Sequence, residues 1–129
     1  MAPFNEKRKW LRVEKKIKID AIVVDPGKEG ALFKLDPLWT KDVGGNGLGL
    51  ITKARLAVGV SIDLKFQLPG QDKLIEAKGR VVWSKLEDGS DDVYRIGVAF
   101  QEINDKDRLV IMKFVESEAK KVIESKKQP

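Results

Sequence analysis

The sequence predicts one mainly β domain that ends in an α-helix. Most of the chain consists of short segments in which apolar and polar residues alternate, separated by clusters of Pro, Gly, Asp and Asn. This pattern is typical of antiparallel strands joined by turns. After residue 103 the apolar residues recur every three or four positions, as on the buried face of a helix. With 129 residues, 42% of them hydrophobic, the chain can bury one core without cross-links.

Alternation predicts seven strands. Segment 60–68 alternates without a fault and is the clearest of them. Short strands of this kind favour a barrel or a sandwich, and a barrel leaves no unpaired strand edge. The predicted strands are 17–23, 31–35, 38–43, 48–52, 60–68, 74–84 and 93–102.

The tryptophans are predicted to be packing residues. Trp83 shares the side of its strand with Ile75 and Val81, which favours the core over stacking on a ligand base. Trp39 is expected to pack at the barrel rim and Trp10 against the N-terminal arm.

The chain divides into a basic N-terminal arm (1–15), a β-barrel (16–103) and a C-terminal helix (104–125). Asn104 is a good N-cap, and two aspartates follow in the first helical turn, where they suit the helix dipole. Up to Glu14, the apolar residues of the arm do not recur at a regular spacing. The arm is therefore predicted to be a loop, or a short helical turn, that becomes ordered on binding.

Positive charge is concentrated in the arm. Residues 1–20 hold seven basic and three acidic side chains, whereas the rest holds 18 basic and 17 acidic ones, for a net charge of +5. Nucleic-acid binders tend to spread basic residues over a whole face, so this distribution favours a local anion clamp, with a solvated tail as the alternative.

Composition argues against an enzyme. The chain has no histidine and no cysteine, which removes the commonest general base, the strongest nucleophile and most transition-metal ligands. We therefore expect no catalytic residue, no metal and no cofactor. No apolar run is long enough to span a membrane and no signal peptide is evident, so the cytoplasm is the expected compartment.

Two motifs carry the functional prediction. Arg8 and Arg12 stand four residues apart, and each guanidinium offers a flat face and a fork of donors that match phosphate oxygens or a purine edge. About thirty residues later comes the run from Asp42 to Gly47, Asp-Val-Gly-Gly-Asn-Gly. Its carboxylate can accept hydrogen bonds from the ring N–H and amino group of guanine.

Arg-x-x-x-Arg followed by Asp/Asn-x-Ser-x-x-Gly resembles the signature of the PilZ domain, a bacterial receptor domain for the second messenger cyclic di-GMP. The resemblance extends to the glycine–valine–x–phenylalanine run at 97–100 and covers most of the chain. It implies a six-stranded antiparallel barrel with a C-terminal helix.

The resemblance also implies the ligand-binding residues. Arg8 and Arg12 would form the clamp on guanine and phosphate, Asp42 would read guanine, and Gly47 would end the second motif. Two lesser candidates come from the residues themselves: Lys7, as a point charge for a phosphate with solvation as the alternative, and Trp83, for stacking on a base should it not lie in the core.

Gly44 departs from the signature, which usually has serine there. Its backbone N–H remains, but the hydroxyl is missing, and a neutral hydrogen bond contributes about 0.5–1.5 kcal/mol. We therefore expect a weakened site, and the sequence predicts that Gly44→Ser would tighten binding if the backbone there suits serine.

Three functions are compatible with these features. The first is a cyclic di-GMP receptor whose arm becomes ordered over the barrel and signals to an unknown protein partner. The second is a PilZ-like adaptor that binds no nucleotide and acts through protein contacts, as in type IV pilus assembly. The third, a barrel for single-stranded nucleic acid, is disfavoured by the few aromatic residues (7%). A monomer and a dimer remain open.

Overall fold

The structure, a computed structural model, describes residues 11–25, 31–35 and 38–127. Within these ranges, eight β-strands precede one α-helix. The strands are β1 Arg12–Glu14, β2 Ile19–Asp25, β3 Ala31–Leu35, β4 Leu38–Gly44, β5 Gly47–Thr52, β6 Ser61–Gln67, β7 Leu74–Leu86 and β8 Tyr94–Ile103, and helix α1 is Asp105–Lys127.

The strands form one sheet in the order β1-β4-β5-β8-β7-β6-β2-β3, in which every neighbouring pair is antiparallel. The short strands β1 and β3 are its edges. An isolated bridge between Lys18 and Trp39 brings the chain before β2 next to β4, but no continuous ladder among the described residues closes the sheet. The predicted antiparallel β fold with a C-terminal helix is confirmed. The implied six-stranded closed barrel is wrong in strand number and closure, because β1 and β3 extend the six inner strands.

The end of the arm is a strand. Residues Arg12–Glu14 form β1, which pairs with β4 so that Arg12 lies opposite Gly44 and Glu14 opposite Asp42. A loop or a helical turn was expected here, because three residues are too few for alternation to be recognised. The described part of the arm is therefore already attached to the sheet.

One face of the sheet and the helix enclose the core. Helix α1 begins as predicted, with the Lys106 N–H donating to Oδ1 of Asn104 at 2.8 Å. Ile111 and Val115 on α1 are buried against the sheet, whereas the side chains of residues 122–127 lie outside the described part. The most buried apolar strand residues are Ala21, Val43, Leu48, Leu50, Ile62, Leu64, Ile75, Val81, Ile96 and Val98.

A bulge places Trp83 on the outer face of the sheet. The pairing of β7 with β8 shifts register between Val81 and Trp83, so Val82 is an extra residue. An extra residue reverses the alternation beyond it. Val81 is therefore buried, whereas Trp83 is 41% exposed. The prediction that Trp83 packs in the core is wrong for this reason.

Candidate ligand-binding site

A second bulge aims Asp42 outward. The pairing of β4 with β5 shifts register between Thr40 and Asp42, which makes Lys41 the extra residue. Because of this shift, Thr40 and Val43 are buried while Asp42 lies on the outer face, opposite Gly49. The carboxylate thereby comes to lie beside β1.

Arg12 and Asp42 form an ion pair at this edge. Nη1 of Arg12 donates to Oδ1 of Asp42 at 2.8 Å, and Nη2 donates to Oδ1 of Asn46 at 3.3 Å. The two charged side chains are 15% and 22% exposed. Nε of Arg12 is buried and has no hydrogen-bond partner among the described residues. Two motif residues that are thirty positions apart thus share one half-buried polar cluster.

Thr40 fixes the chain immediately after β1. Its hydroxyl accepts a hydrogen bond from the Ile17 N–H at 2.7 Å and donates to the carbonyl oxygen of Lys15. The Lys15 N–H donates to the carbonyl oxygen of Lys41 at 3.1 Å. The Thr40 N–H also donates to the carbonyl oxygen of Ile17 at 2.9 Å, so residues 15–17 are held against β4 by one buried hydroxyl and two backbone bonds.

An ion pair connects the same segment to the helix. Nζ of Lys15 lies 2.9 Å from Oε1 of Glu118 on α1, and Lys121 approaches the other carboxylate oxygen at 3.4 Å. The hydrogen bond from Lys15 lowers the pKa of Glu118 below its ordinary 4.5, against the opposing effect of burial. A displacement of β1 would therefore be transmitted to α1.

The Lys15–Glu118 ion pair should make the attachment of this segment to α1 sensitive to low pH. Because the folded-state pKa of Glu118 is lowered, the pair stabilises the fold fully above the ordinary value of 4.5, and this stability is lost as the pH falls through the lower folded value. We expect the amide resonance of Lys15 to report this transition in wild type and to lose it in Glu118→Gln. Glu116→Gln, on an exposed position of the same helix, is the control. A transition that persists in Glu118→Gln would contradict this role.

Two glycines form the floor beside the Arg12–Asp42 pair. Gly49 on β5 lies opposite Gly97 on β8. A Cβ atom at Gly49 would lie 2.7 Å from Oδ2 of Asp42, and one at Gly97 would lie 2.1 Å from Nε1 of Trp83. The carboxylate and the indole therefore rest on glycine backbone, where any larger residue would displace them.

On the outer face of the sheet these four residues lie in a row across four neighbouring strands, and we call this surface the glycine trough. Asp42 and Trp83 stand at its two sides, and Gly49 and Gly97 lie between them. Adjacent strands are about 4.8 Å apart, so β4 and β7 are roughly 14 Å apart across the trough. The carboxylate of Asp42 and the partly exposed ring of Trp83 thus lie at opposite ends of the two glycines.

The turn glycines have structural reasons of their own. A Cβ at Gly47 would lie 2.1 Å from the carbonyl oxygen of Val98, so its lack of a side chain lets β8 approach β5 closely. A Cβ at Gly44 would lie 2.6 Å from Cγ of Arg12 and 3.0 Å from the carbonyl oxygen of Leu11. The arginine therefore passes directly over Gly44. Neither glycine is at positive φ.

The predicted site residues are thus brought together in part. Arg12, Asp42 and Gly44 lie in one cluster, and Trp83 faces it across the trough. Lys7 and Arg8 lie outside the described residues. Sequence reasoning missed the roles of Asn46, Thr40, Gly49 and Gly97. A glycine inside a predicted strand was the available signal for the last two, because such glycines often mark close approach.

A family comparison identifies the fold. A sequence model of the PilZ domain matches residues 6–117. The chain belongs to the PilZ domain family. The match contains both arginines of the first motif and the whole second motif. Comparison with curated protein sequences found no match.

Solved PilZ proteins share this fold at low sequence identity. The inhibitor of motility MotI (DgrA) of Bacillus subtilis has a TM-score of 0.71 and 13% identity over 89% of this chain and 52% of its own. The PilZ domain of YcgR from Escherichia coli, solved with c-di-GMP, has a TM-score of 0.63 and 11% identity over 96% of this chain and 100% of its own. MrkH of K. pneumonia, in complex with c-di-GMP, has a TM-score of 0.56 and 17% identity over 97% of this chain and 57% of its own. The chain spans about half the length of MotI and of MrkH.

Two absences among the described residues bear on other site types. These residues contain no group of three or more acidic side chains arranged to hold a metal ion. No helix in the described ranges is both long and apolar enough to cross a bilayer.

Proposed function

We propose that this PilZ domain is a receptor for cyclic di-GMP, which it binds across the glycine trough. The observation that supports this most is the Arg12–Asp42 contact of 2.8 Å, which shares the outer face of the sheet with the exposed Trp83. YcgR and MrkH, which share the fold, were solved with this ligand.

Asp42 can read guanine without leaving Arg12. Its Oδ1 accepts from Arg12, and both of its oxygens lie over Gly49, with Oδ2 slightly the nearer to the position of a Cβ there, at 2.7 Å against 2.9 Å. An ionised carboxylate has about four acceptor positions, so Oδ2 can also accept from the ring N–H and amino group of a guanine. Adenine lacks this pair of donors, which gives the site its selectivity.

Charge and stacking complete the binding. The guanidinium of Arg12 supplies a fork of donors for a phosphate or for the outer edge of the base. Trp83 offers an exposed ring face, and base–aromatic stacking contributes about 1–3 kcal/mol per base. Arg8 and Lys7, upstream of β1, would add a second guanidinium and a point charge.

The signal would pass through the arm to the helix. Ligand contacts with Arg8 and Arg12 would order the arm and stabilise the pairing of β1 with β4. Because Lys15 comes directly after β1 and bonds Glu118, the position of the arm is coupled to α1. Ordering of a segment on ligand binding is a common switching device.

One observation favours the nucleotide-free adaptor as the second candidate. Both terminal nitrogens of Arg12 are already bonded within the fold, Nη1 to Asp42 and Nη2 to Asn46, and its side chain fills the space over Gly44. Such a cluster would hold the arm in place without any ligand. The two candidates differ in whether the purified domain binds the nucleotide.

Calorimetric titration with cyclic di-GMP separates them. We expect binding of cyclic di-GMP and weaker binding of both cyclic di-AMP and the linear GMP dinucleotide. Asp42 reads the donors of guanine, and a closed ring loses less conformational freedom on binding than a linear chain does. Equal affinity for cyclic di-AMP would contradict the role of Asp42. The absence of any heat with all three nucleotides would favour the adaptor.

A further inference from the structure

A pocket of about 430 Å³ lies beside strand β4, close to the Arg12–Asp42 pair. The arm supplies one wall and the sheet supplies the other. We call it the lysine pocket. It is lined by Glu14, Lys15, Lys16, Trp39, Thr40, Lys41 and Ile51.

The floor of the lysine pocket is aromatic and apolar. Trp39 lies opposite Ile51 on the outer face and is 37% exposed, so it is not the packed rim residue that the sequence predicted. Nζ of Lys16 lies 4.8 Å from the centroid of its ring, within cation–π range. The floor therefore presents a partly exposed indole to a neighbouring ligand.

The rim of the pocket is positively charged. Lys15 is neutralised by Glu118, but neither Lys16 nor Lys41 forms an ion pair with a described residue. Lys18, exposed and bridged to Trp39, adds a further charge at the edge. Among the described lining residues only Glu14 is acidic. The surface is thus complementary to a ligand that is both acidic and apolar.

A larger cavity beside β6, β7 and the start of α1 lacks this character. It measures about 670 Å³ and is lined by side chains of both signs, including Lys65 and Glu76, which form an ion pair at 3.5 Å. Its lining contains no aromatic residue. Its charges are already balanced, so it offers no comparable selectivity.

We propose that the lysine pocket binds an acidic segment of a protein partner and receives one large apolar side chain of that segment on Trp39. Binding pockets for small ligands measure about 300–1,000 Å³, so this one accepts a single anchor with its neighbours. Aromatic anchors surrounded by charges of complementary sign are typical of protein interfaces. A nucleic-acid strand would instead require a longer basic track, and the chain after residue 20 holds 18 basic and 17 acidic residues.

Control of this surface by nucleotide rests on the proposed function. Residues 14–16 form one wall of the pocket and continue directly from β1, which carries Arg12. A ligand that stabilises the pairing of β1 with β4 would hold that wall in place. Cyclic di-GMP would then tighten partner binding, and the partner would tighten cyclic di-GMP binding by the same factor.

The test uses a short fluorescent peptide of glutamate and aspartate with one central phenylalanine. We expect Trp39→Ala and Lys41→Glu each to weaken its binding roughly tenfold, since both remove part of a central contact. Lys106→Glu, an equal charge change on the exposed first turn of α1, should leave binding unchanged. Replacing the phenylalanine of the peptide by alanine should weaken binding by a similar factor.

The alternatives are tested with an oligothymidine strand and with vesicles of phosphatidylserine and phosphatidylcholine. Peptide affinity that both pocket variants leave unchanged would overturn the proposal. So would tighter binding of the strand or the vesicles, lost in Lys41→Glu.

The same proteins are titrated with cyclic di-GMP. If the nucleotide fails to bind while the peptide behaves as expected, the receptor function is wrong and the pocket assignment stands. If both bind but do not tighten each other, the control by nucleotide is overturned.

Discussion

Replacing Arg12 by alanine is expected to weaken cyclic di-GMP binding by about 10- to 150-fold. Hydrogen bonds to charged groups contribute about 1.5–3 kcal/mol, which corresponds to this factor. The loss has two origins, because the variant removes a donor to the ligand and also the group that holds Oδ1 of Asp42 at 2.8 Å. Calorimetric titration of both proteins measures the change.

The stability of the ligand-free protein separates a ligand contact from a structural role. Because Arg12 also bonds Asp42 and Asn46 within the fold, we expect its removal to lower the free energy of unfolding by about 1–2 kcal/mol. Arg12→Lys keeps the positive charge but loses the paired donors of the guanidinium. Its affinity for cyclic di-GMP should therefore lie between those of wild type and Arg12→Ala. Arg55→Ala, at an exposed position between β5 and β6, controls for net charge. Unchanged ligand affinity in a destabilised Arg12→Ala would make Arg12 purely structural.

Replacing Gly47 by alanine is expected to lower the free energy of unfolding by about 1–3 kcal/mol, the usual cost of overpacking. The new Cβ would lie 2.1 Å from the carbonyl oxygen of Val98 and 3.2 Å from Cα of Ala99. Both atoms belong to the backbone of β8, so they move only if the strand moves. Chemical denaturation measures the loss.

Gly44 provides a matched comparison across the same turn. A Cβ there meets mainly the flexible side chain of Arg12, at 2.6 Å, so Gly44→Ala should cost less stability and more ligand affinity than Gly47→Ala. The same contact changes the expectation for Gly44→Ser. Its φ is suitable, but its Cβ displaces Arg12, so we no longer expect tighter binding. If Gly44→Ala and Gly47→Ala lost stability equally and left affinity intact, the proposed role of Arg12 over Gly44 would be wrong.

The sequence predicted elements better than it predicted faces. Alternation located the core strands from β2 to β8 to within a few residues, since inward residues such as Ile62 and Leu64 recur at every second position. Bulges are invisible to that pattern. Each bulge inserts one residue, so the side chains beyond it point to the opposite face of the sheet from the one that alternation predicts. For this reason Trp83 was placed on the wrong side, and the outward direction of Asp42 could not be derived.

The site was predictable only where a motif names its residues. Arg12 and Asp42 were found because both stand in recognisable patterns. Their contact, and the support from Asn46, depends on the pairing of β1 with β4, which no local pattern specifies. The meeting of Gly49 and Gly97 likewise depends on cross-strand register, so each appeared in the sequence as an isolated glycine.

The most direct test of the central claim is an amide NMR titration of the labelled domain with cyclic di-GMP. If the ligand lies across the glycine trough, the amides of Gly49 and Gly97 and the indole N–H of Trp83 shift together, with the amide of Lys106 as a distant reference. Assignment of the indole signal uses Trp83→Phe. Shifts confined to the larger cavity beside Asp63, or no shift at a concentration that saturates binding, would contradict binding in the trough.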